Sequence, residues 1–352
     1  MKKKIIIIAL AVVVIVCGIV GGIKVKNNLP YYFDKYGVNQ PDTEYTLSIE
    51  KTDFENEVAI KLQKEGIIVS AVRFLNYIHK KHPDFVWYNG NYNLSADMSY
   101  AELCEKLKTP DSKIDYVSFT VPEGKNVVEI SKIVEKSGLC TADEFLEAAD
   151  SYKYEFDFLN ELEKRDAKKI GYKLEGFLFP ATYEFRKDTV TPSDIVYEML
   201  KAFTEYVDSD IIKKANDMGL SVNELVTFAS VIQAEAFSKE SMANISSVFW
   251  NRLNSSSLPK LQSDPTMTYA KDLKVLKHYS TAMAEAYDTY KCNGLPVGPT
   301  NCPGLDTIKA VINPANTEYY YFVTDKDGNF YFNKTYKEHV NDCYAIGLWK
   351  KK

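Results

Sequence analysis

Hydrophobic and polar residues follow two periods along the chain. Residues 45–49 and 117–121 alternate between apolar and polar side chains, as half-buried strands do. Residues 54–64 and 126–137 instead repeat apolar side chains every three or four positions, which predicts amphipathic helices. Short strands interspersed with longer helices predict a mixed α+β fold.

One helix carries the leading candidate for chemistry. Ser221 and Glu224 form a capping-box pattern that predicts its start. Its apolar positions are Leu225, Phe228, Ala229, Ile232 and Ala236. Glu235 lies on the flank of this stripe, and apolar neighbours favour the protonated form of a carboxyl, as a general acid requires. The alternative is a solvated glutamate at the edge of an ordinary helix.

The N-terminal stretch predicts a membrane anchor. Residues 5–23 carry no charge, and a bilayer-spanning helix needs about 20 apolar residues. The lysines at 2–4 precede the stretch, so the positive-inside rule places the N-terminus in the cytoplasm and the rest of the chain outside. The polar, proline-containing residues 27–43 are interpreted as a linker.

Composition and motifs exclude several classes of protein. The 352-residue chain has a sequence pI near 5.6 and no basic stripe, which argues against a nucleic-acid partner. It has no HExxH zinc spacing, no nucleophile-elbow or Walker sequence, and no complete calcium loop. We therefore expect neither a metal nor another cofactor.

Four segments together resemble the YceG/MltG family of endolytic peptidoglycan transglycosylases. They are residues 174–185 (LEGFLFPATYEF), 248–253 (VFWNRL), 261–269 (LQSDPTMTY) and 294–299 (GLPVGP). The resemblance extends over about residues 45–348. It implies that the catalytic glutamate is Glu235. Many members have another Glu two residues earlier, where this chain has Gln233.

The resemblance also implies a mechanism and a set of binding residues. Glu235 would act first as acid and then as base, cleaving the MurNAc–GlcNAc β-1,4 bond of nascent strands to give a 1,6-anhydroMurNAc end. The implied substrate-binding residues are Asn251, Arg252, Gln262, Asp264, Thr266, Tyr269, Gly294 and Pro296. Asp264 precedes a proline, which favours an extended or turn backbone. It is expected to orient Arg252 or a substrate amide, or else to form a buried ion pair with Arg252. Glu175 is a second possible carboxylate.

The predicted organisation has five parts. Residues 1–26 are the cytoplasmic stub and transmembrane helix, 27–43 the linker, 44–112 a first α/β subdomain, 113–165 a LysM-like subdomain, and 170–350 the catalytic domain. LysM modules bind glycans, but a small module that only positions the catalytic domain fits residues 113–165 nearly as well.

Two other functions remain open. A muramidase would hydrolyse the same bond, and a non-catalytic scaffold would bind cell-wall glycan only. The expected partners are peptidoglycan glycan strands, the membrane through one helix and, by family resemblance, the elongation machinery. Among the cysteines, Cys292 and Cys302 flank the proline-rich loop and are the favoured disulfide pair.

Overall fold

The computed structural model describes residues 44–151, 153–236 and 238–349. The chain divides into two compact units, one ending at Asp115 and the other beginning at Tyr116. Helices combined with small sheets confirm the α+β class. The predicted membrane span and linker lie outside the described residues. No helix within the described ranges is long and apolar enough to cross a membrane.

The described part of the first unit, residues 44–115, is a two-stranded sheet with three helices. Strand β1 (Glu44–Ile49) runs antiparallel to β2 (Gly90–Ser95), with Leu47 opposite Tyr92. The helices are α1 (Glu55–Lys64), α2 (Ala71–Lys81) and α3 (Tyr100–Lys106). Leu47 and Tyr92 are buried in one core with residues of all three helices, because the alternation in β1 directs every second side chain inward.

The second unit contains the remaining strands and helices. Strand β3 (Tyr116–Thr120) is antiparallel to β4 (Thr182–Arg186), and β5 (Tyr321–Thr324) is antiparallel to β6 (Phe330–Asn333). Its helices within the described residues are α4 (Val127–Ser137), α5 (Ala142–Ala149), α6 (Leu159–Leu162), α7 (Pro192–Tyr206), α8 (Ser209–Asp217), α9 (Val222–Glu235), α10 (Lys239–Leu253), α11 (Asp264–Asp272), α12 (Thr281–Tyr287), α13 (Leu305–Ile312) and α14 (Tyr336–Ala345).

The pairing of β3 with β4 joins two segments that the sequence assigned to different subdomains. Thr120 and Thr182 are 62 positions apart, yet their hydroxyls lie 2.8 Å from each other across the sheet. A single hydrophobic cluster includes Phe119 of β3 together with residues as far along as Ile312. The further division of this unit near residues 165–170, and the LysM-like character of its first part, stay predictions.

Helix α9 lies at the centre of the second unit. The predicted capping box is present, with the Ser221 hydroxyl accepting the Glu224 N–H. The expected single apolar face is too narrow a description, because Val226, Ser230 and Val231 on the other sides are also buried. Helices α6, α8, α10, α11 and α13 all contact α9 and exclude water around it. The helix ends at Glu235, one residue before the expected Ala236.

The segment after α10 also differs from expectation. Asp264 was predicted to be extended or in a turn, but it is the first residue of helix α11. The following proline causes no conflict, because a proline in the first helical turn removes an N–H that has no partner within the helix. The bend before the helix falls instead on Gln262, whose φ of 54° is the one positive value among the described non-glycine residues.

Candidate active site

Glu235 emerges from the core at the last turn of α9. Its Oε1 accepts a hydrogen bond of 2.6 Å from the Ser263 hydroxyl. Burial raises the pKa of this carboxyl, the Ser263 hydrogen bond lowers it in part, and the negative charge of Asp264 raises it further. The carboxyl also lies at a helix C-terminus, where unpaired backbone carbonyls disfavour an anion. All but one of these influences favour retention of the proton.

Glu235 lines a cleft of about 550 Å³ in the second unit. This volume falls within the range of about 300–1,000 Å³ that is usual for ligand sites. The cleft is lined by Glu235, Phe249, Arg252, Leu261, Gln262, Asp264, Tyr290, Tyr321, Phe322, Val323, Thr324, Tyr336, His339, Cys343, Leu348 and Trp349. Glu235 and Asp264 are the two carboxyl groups in this set, so they are the acid–base candidates of the cleft.

Arg252 fixes the backbone on one side of the cleft. The residue is 7% exposed, and its guanidinium donates to the carbonyls of Tyr320 (2.7 Å) and Leu261 (2.8 Å), and to Oε1 of Gln262 (3.2 Å). It also lies 5.2 Å from the ring centre of Tyr321, a cation–π distance. Arg252 thus holds the Gln262 bend against the β5 strand.

The expected pairing of Arg252 with Asp264 is wrong. Within the described residues these two side chains form no ion pair, and the Arg252 Nε and Nη1 groups donate instead to carbonyl oxygens and to the Gln262 amide oxygen. Asp264 is exposed at the start of α11 and accepts a 2.6 Å hydrogen bond from the Tyr290 hydroxyl. Burial and this bond raise the pKa of Tyr290 to about 12, so the phenol keeps its proton.

Several predicted substrate-binding residues lie outside the cleft and support its walls instead. Asn251 donates to the carbonyls of Thr317 and Tyr319, both at 2.9 Å. Thr266 is buried and donates to the Ser263 carbonyl at 2.7 Å. The Gly294 N–H donates to the Pro259 carbonyl at 2.7 Å, and Pro296 is buried. Arg252, Gln262 and Asp264 are the predicted binding residues that line the cleft.

Glu175 and Tyr269 form a buried contact away from the cleft. The Tyr269 hydroxyl donates to Glu175 Oε2 at 3.0 Å, and the Val127 N–H at the start of α4 donates to Oε1 at 3.1 Å. Glu175 is 1% exposed, and burial raises its pKa to about 8. This carboxyl links α4 to α11 and does not line the cleft, so we assign it no role in proton transfer.

Gln233 lies two residues before Glu235 on α9. Its Oε1 accepts the Gly304 N–H at 3.0 Å and the Thr307 hydroxyl at 2.6 Å. Gly304 is the N-cap residue of α13, and Thr307 lies in the first turn of that helix. Because Gly304 makes no side-chain cap hydrogen bond, Gln233 supplies the missing acceptor. Gln233 therefore serves to join α13 to α9 and does not compete with Glu235 for the cleft.

Sequence reasoning missed the residues that complete the site. Ser263 occupies a variable position of the 261–269 motif, so the motif did not mark it. Tyr321, Tyr336 and Trp349 come from β5 and the C-terminal region, and the rings of Tyr321 and His339 stack at 5.5 Å. The many tyrosines were a weak signal for an aromatic wall, but nothing in the sequence selected these members.

The cysteines are free thiols in the described part of the chain, so the expected pairing of Cys292 with Cys302 is wrong. Cys302 is fully buried, and its backbone pairs with Lys125, which removes it from the loop that carries Cys292. The described residues contain no group of His, Cys, Asp or Glu side chains able to hold a metal ion.

The fold and the site together define a class of protein. In this class, a central buried helix ends on a carboxyl with a raised pKa, which faces a cleft walled by polar and aromatic groups. Such an arrangement suits acid–base chemistry on a large polar ligand. The profile of the YceG-like family matches residues 47–344, so the chain belongs to that family and the resemblance seen in the motifs is confirmed.

Proteins named endolytic murein transglycosylase are among its relatives. The one from Bacillus subtilis (strain 168) is 30% identical over 310 residues, which are 84% of this chain and 83% of that protein. The one from Streptococcus pneumoniae strain D39 is 31% identical over 84% of this chain, which spans 57% of that longer protein. A crystal structure described as a yceG-like protein of Listeria monocytogenes has a TM-score of 0.54 and 27% identity, covering 85% of this chain and 99% of that one.

Proposed function

We propose that this protein is an endolytic murein transglycosylase that cleaves the β-1,4 bond between MurNAc and GlcNAc, with Glu235 as the catalytic group. The names of the relatives support the activity. The observation that carries the assignment to Glu235 is its raised pKa at the wall of a cleft. A raised pKa lets a carboxyl keep its proton to higher pH, which favours a role as general acid.

The reaction needs one proton donor that afterwards becomes an acceptor. Protonated Glu235 gives its proton to the bridging oxygen as the bond from that oxygen to C1 of MurNAc breaks. The resulting carboxylate then takes the proton of the MurNAc 6-hydroxyl, whose oxygen forms the new bond to C1. The products are a GlcNAc hydroxyl and a 1,6-anhydroMurNAc end, and no water is consumed.

The neighbours of Glu235 support these two steps. The Ser263 hydroxyl donates to the carboxyl at 2.6 Å, so it orients the group and stabilises the carboxylate after proton transfer. Asp264 raises the pKa of Glu235 and so favours the return of the proton. Arg252 holds the adjoining wall by donating to Gln262, and the exposed Gln262 side chain binds the sugar chain.

A hydrolytic muramidase is the rival function, because Asp264 lines the same cleft. Hydrolysis ordinarily uses two carboxyls, one as acid and one as nucleophile or base. Asp264 is exposed and accepts the Tyr290 hydroxyl, which lowers the nucleophilicity of its carboxylate oxygen. We therefore favour the lytic reaction.

The sequence supports further parts of the proposal. Residues 5–23 would anchor the protein in the cell membrane by a single span, with the described units outside. Peptidoglycan strands would be the substrate, and the elongation machinery would be the protein partner. Glycan binding by the LysM-like segment, residues 113–165, belongs to the same proposal.

The test compares Glu235→Gln with the wild-type protein on purified glycan strands. Loss of the acid should lower turnover by about 10²–10⁴-fold, while strands still bind, because glutamine has nearly the same shape. Glu147→Gln, at an exposed position of α5, is the matched control and should keep full activity. Mass spectrometry should find wild-type products that lack a reducing end and are one water lighter than hydrolysis products.

Three results would contradict the proposal. Products with a reducing end would identify a muramidase. Full activity of Glu235→Gln would remove Glu235 from the mechanism. Glycan binding without any turnover by the wild-type protein would favour a scaffold.

A further inference from the structure

A second cavity of about 430 Å³ adjoins the Glu235 cleft in the second unit. It is lined by Gly124, Asn126, Ala234, Asp264, Pro265, Thr268, Tyr269, Asp272, Thr300 and Asn301. The mechanism above uses none of its uncharged polar side chains. Because it contains no histidine, cysteine or basic residue, it offers hydrogen bonds rather than chemistry of its own.

The two cavities lie on either side of Asp264. Asp264 lines both of them. Ala234 lines the second cavity and the next residue, Glu235, lines the main cleft, so the last turn of α9 also separates the two. A long ligand that passes from one cavity to the other therefore passes over Asp264, beside the last turn of α9 that carries Glu235.

The second cavity presents groups that recognise neutral sugars. Asn126, Thr268, Thr300 and Asn301 contribute amides and hydroxyls. Asn301 is 6% exposed, and its Nδ2 donates to the Ser230 carbonyl at 2.9 Å. Its Oδ1 is buried without a hydrogen-bond partner among the described residues. Asn301 therefore forms part of the cavity wall, and among these four residues Thr268 is the exposed one that a ligand can reach.

We propose that the second cavity binds the glycan on the far side of the scissile bond, so that one strand occupies both cavities across Asp264. The proposal rests on the proposed function, because it requires a glycan substrate for Glu235. It assigns the main cleft to the sugars on one side of the bond and the second cavity to an N-acetylated sugar on the other. Occupation of both sides holds the bond at the carboxyl and explains cutting within a strand.

Thr268→Trp tests this assignment. Thr268 is exposed on α11 and lines the second cavity, so an indole there should fill the cavity and spare the helix. Lys271→Trp places the same side chain one turn further along α11, at an exposed position outside the cavity, and is the matched control. Both changes are made in the full chain, alone and combined with Glu235→Gln, and melting curves confirm folding.

The readouts separate blocked binding from general damage. In the Glu235→Gln background, Thr268→Trp should weaken binding of long glycan strands by about tenfold, the loss expected when one or two hydrogen bonds and a sugar contact disappear. Binding of a disaccharide that fits the main cleft alone should not change. In the active protein, KM for strands should rise, whereas Lys271→Trp should leave it unchanged.

Equal binding and turnover for Thr268→Trp and Lys271→Trp would overturn this inference and leave the proposed function standing. Failure of the wild-type protein to cut strands would instead defeat the proposed function. If Thr268→Trp does not fold, Thr268→Lys takes its place, since an exposed helical position accepts lysine readily. Unchanged strand binding by a folded Thr268→Lys would count against the second cavity.

Discussion

Ionisation of Glu175 should make the stability of the second unit depend on pH. Replacing Glu175 with glutamine should remove most of that dependence. The carboxyl is 1% exposed and receives hydrogen bonds from the Val127 N–H and the Tyr269 hydroxyl. Glutamine has nearly the same shape and offers an oxygen to Val127 and an N–H to Tyr269. The substitution therefore keeps the contacts of the protonated acid and removes only the possibility of ionising.

The magnitude follows from the difference between the folded and unfolded pKa values. Burial raises the folded value from the ordinary 4.5 to about 8. The folded state thus binds more protons than the unfolded state in this interval, so the unfolding free energy falls as the pH rises. Each pKa unit is worth about 1.4 kcal/mol, so the wild-type protein should lose roughly 3 kcal/mol between about pH 5 and pH 8.

Thermal melting at several pH values provides the assay. For a unit of about 150–250 residues, roughly 3 kcal/mol corresponds to a change of about 6–12 °C in Tm. Other groups titrate too, so the quantity to follow is the Tm of Glu175→Gln minus that of the wild type. It should be small near pH 5 and increase steadily towards pH 8.

The control is Glu147→Gln, which changes an exposed carboxyl of α5 in the same unit. Its Tm difference from the wild type should stay nearly constant with pH. A Glu175→Gln difference that is equally flat would refute the reasoning, because it would mean that the buried carboxyl titrates as it does in the unfolded chain.

Two further predictions concern the wall of the cleft. Ser263→Ala removes a hydrogen bond that lowers the pKa of Glu235, and Asp264→Asn removes a charge that raises it. Activity that requires the protonated acid falls as the pH rises through this pKa, so the alkaline limb of the kcat/KM profile should move up for Ser263→Ala and down for Asp264→Asn. Gln262 has a φ of 54°, so Gln262→Gly should be more stable than Gln262→Ala by about 1 kcal/mol in denaturant unfolding, while both lose glycan affinity.

Two results would contradict these predictions. Limbs of the two pH profiles that move in the same direction would contradict the assigned causes of the Glu235 pKa. A Gln262→Ala protein as stable as Gln262→Gly would show that the left-handed backbone at this bend carries no strain.

Local signals in the sequence predicted much of the secondary structure. The capping boxes at Ser221 and Thr335 mark the starts of α9 and α14, because their hydroxyls and glutamates satisfy the first N–H groups of each helix. Alternation in residues 45–49 predicted β1 in the same way. The motifs identified the family and singled out Glu235, but they did not separate residues that line the cleft, such as Gln262, from residues that support it, such as Asn251.

The sequence by itself determined several of the helices and strands, the family and the candidate acid, because these depend on neighbouring residues and on motifs within short segments. Only the tertiary structure decided that residues 225–232 of α9 are buried on all sides, that Ser263 contacts Glu235, and that Asp264 pairs with Tyr290 and not with Arg252. Each of these contacts joins residues more than twenty positions apart or depends on which donors are already occupied. Burial and hydrogen bonding over such distances set the pKa of the carboxyl, and packing of the whole unit determines both.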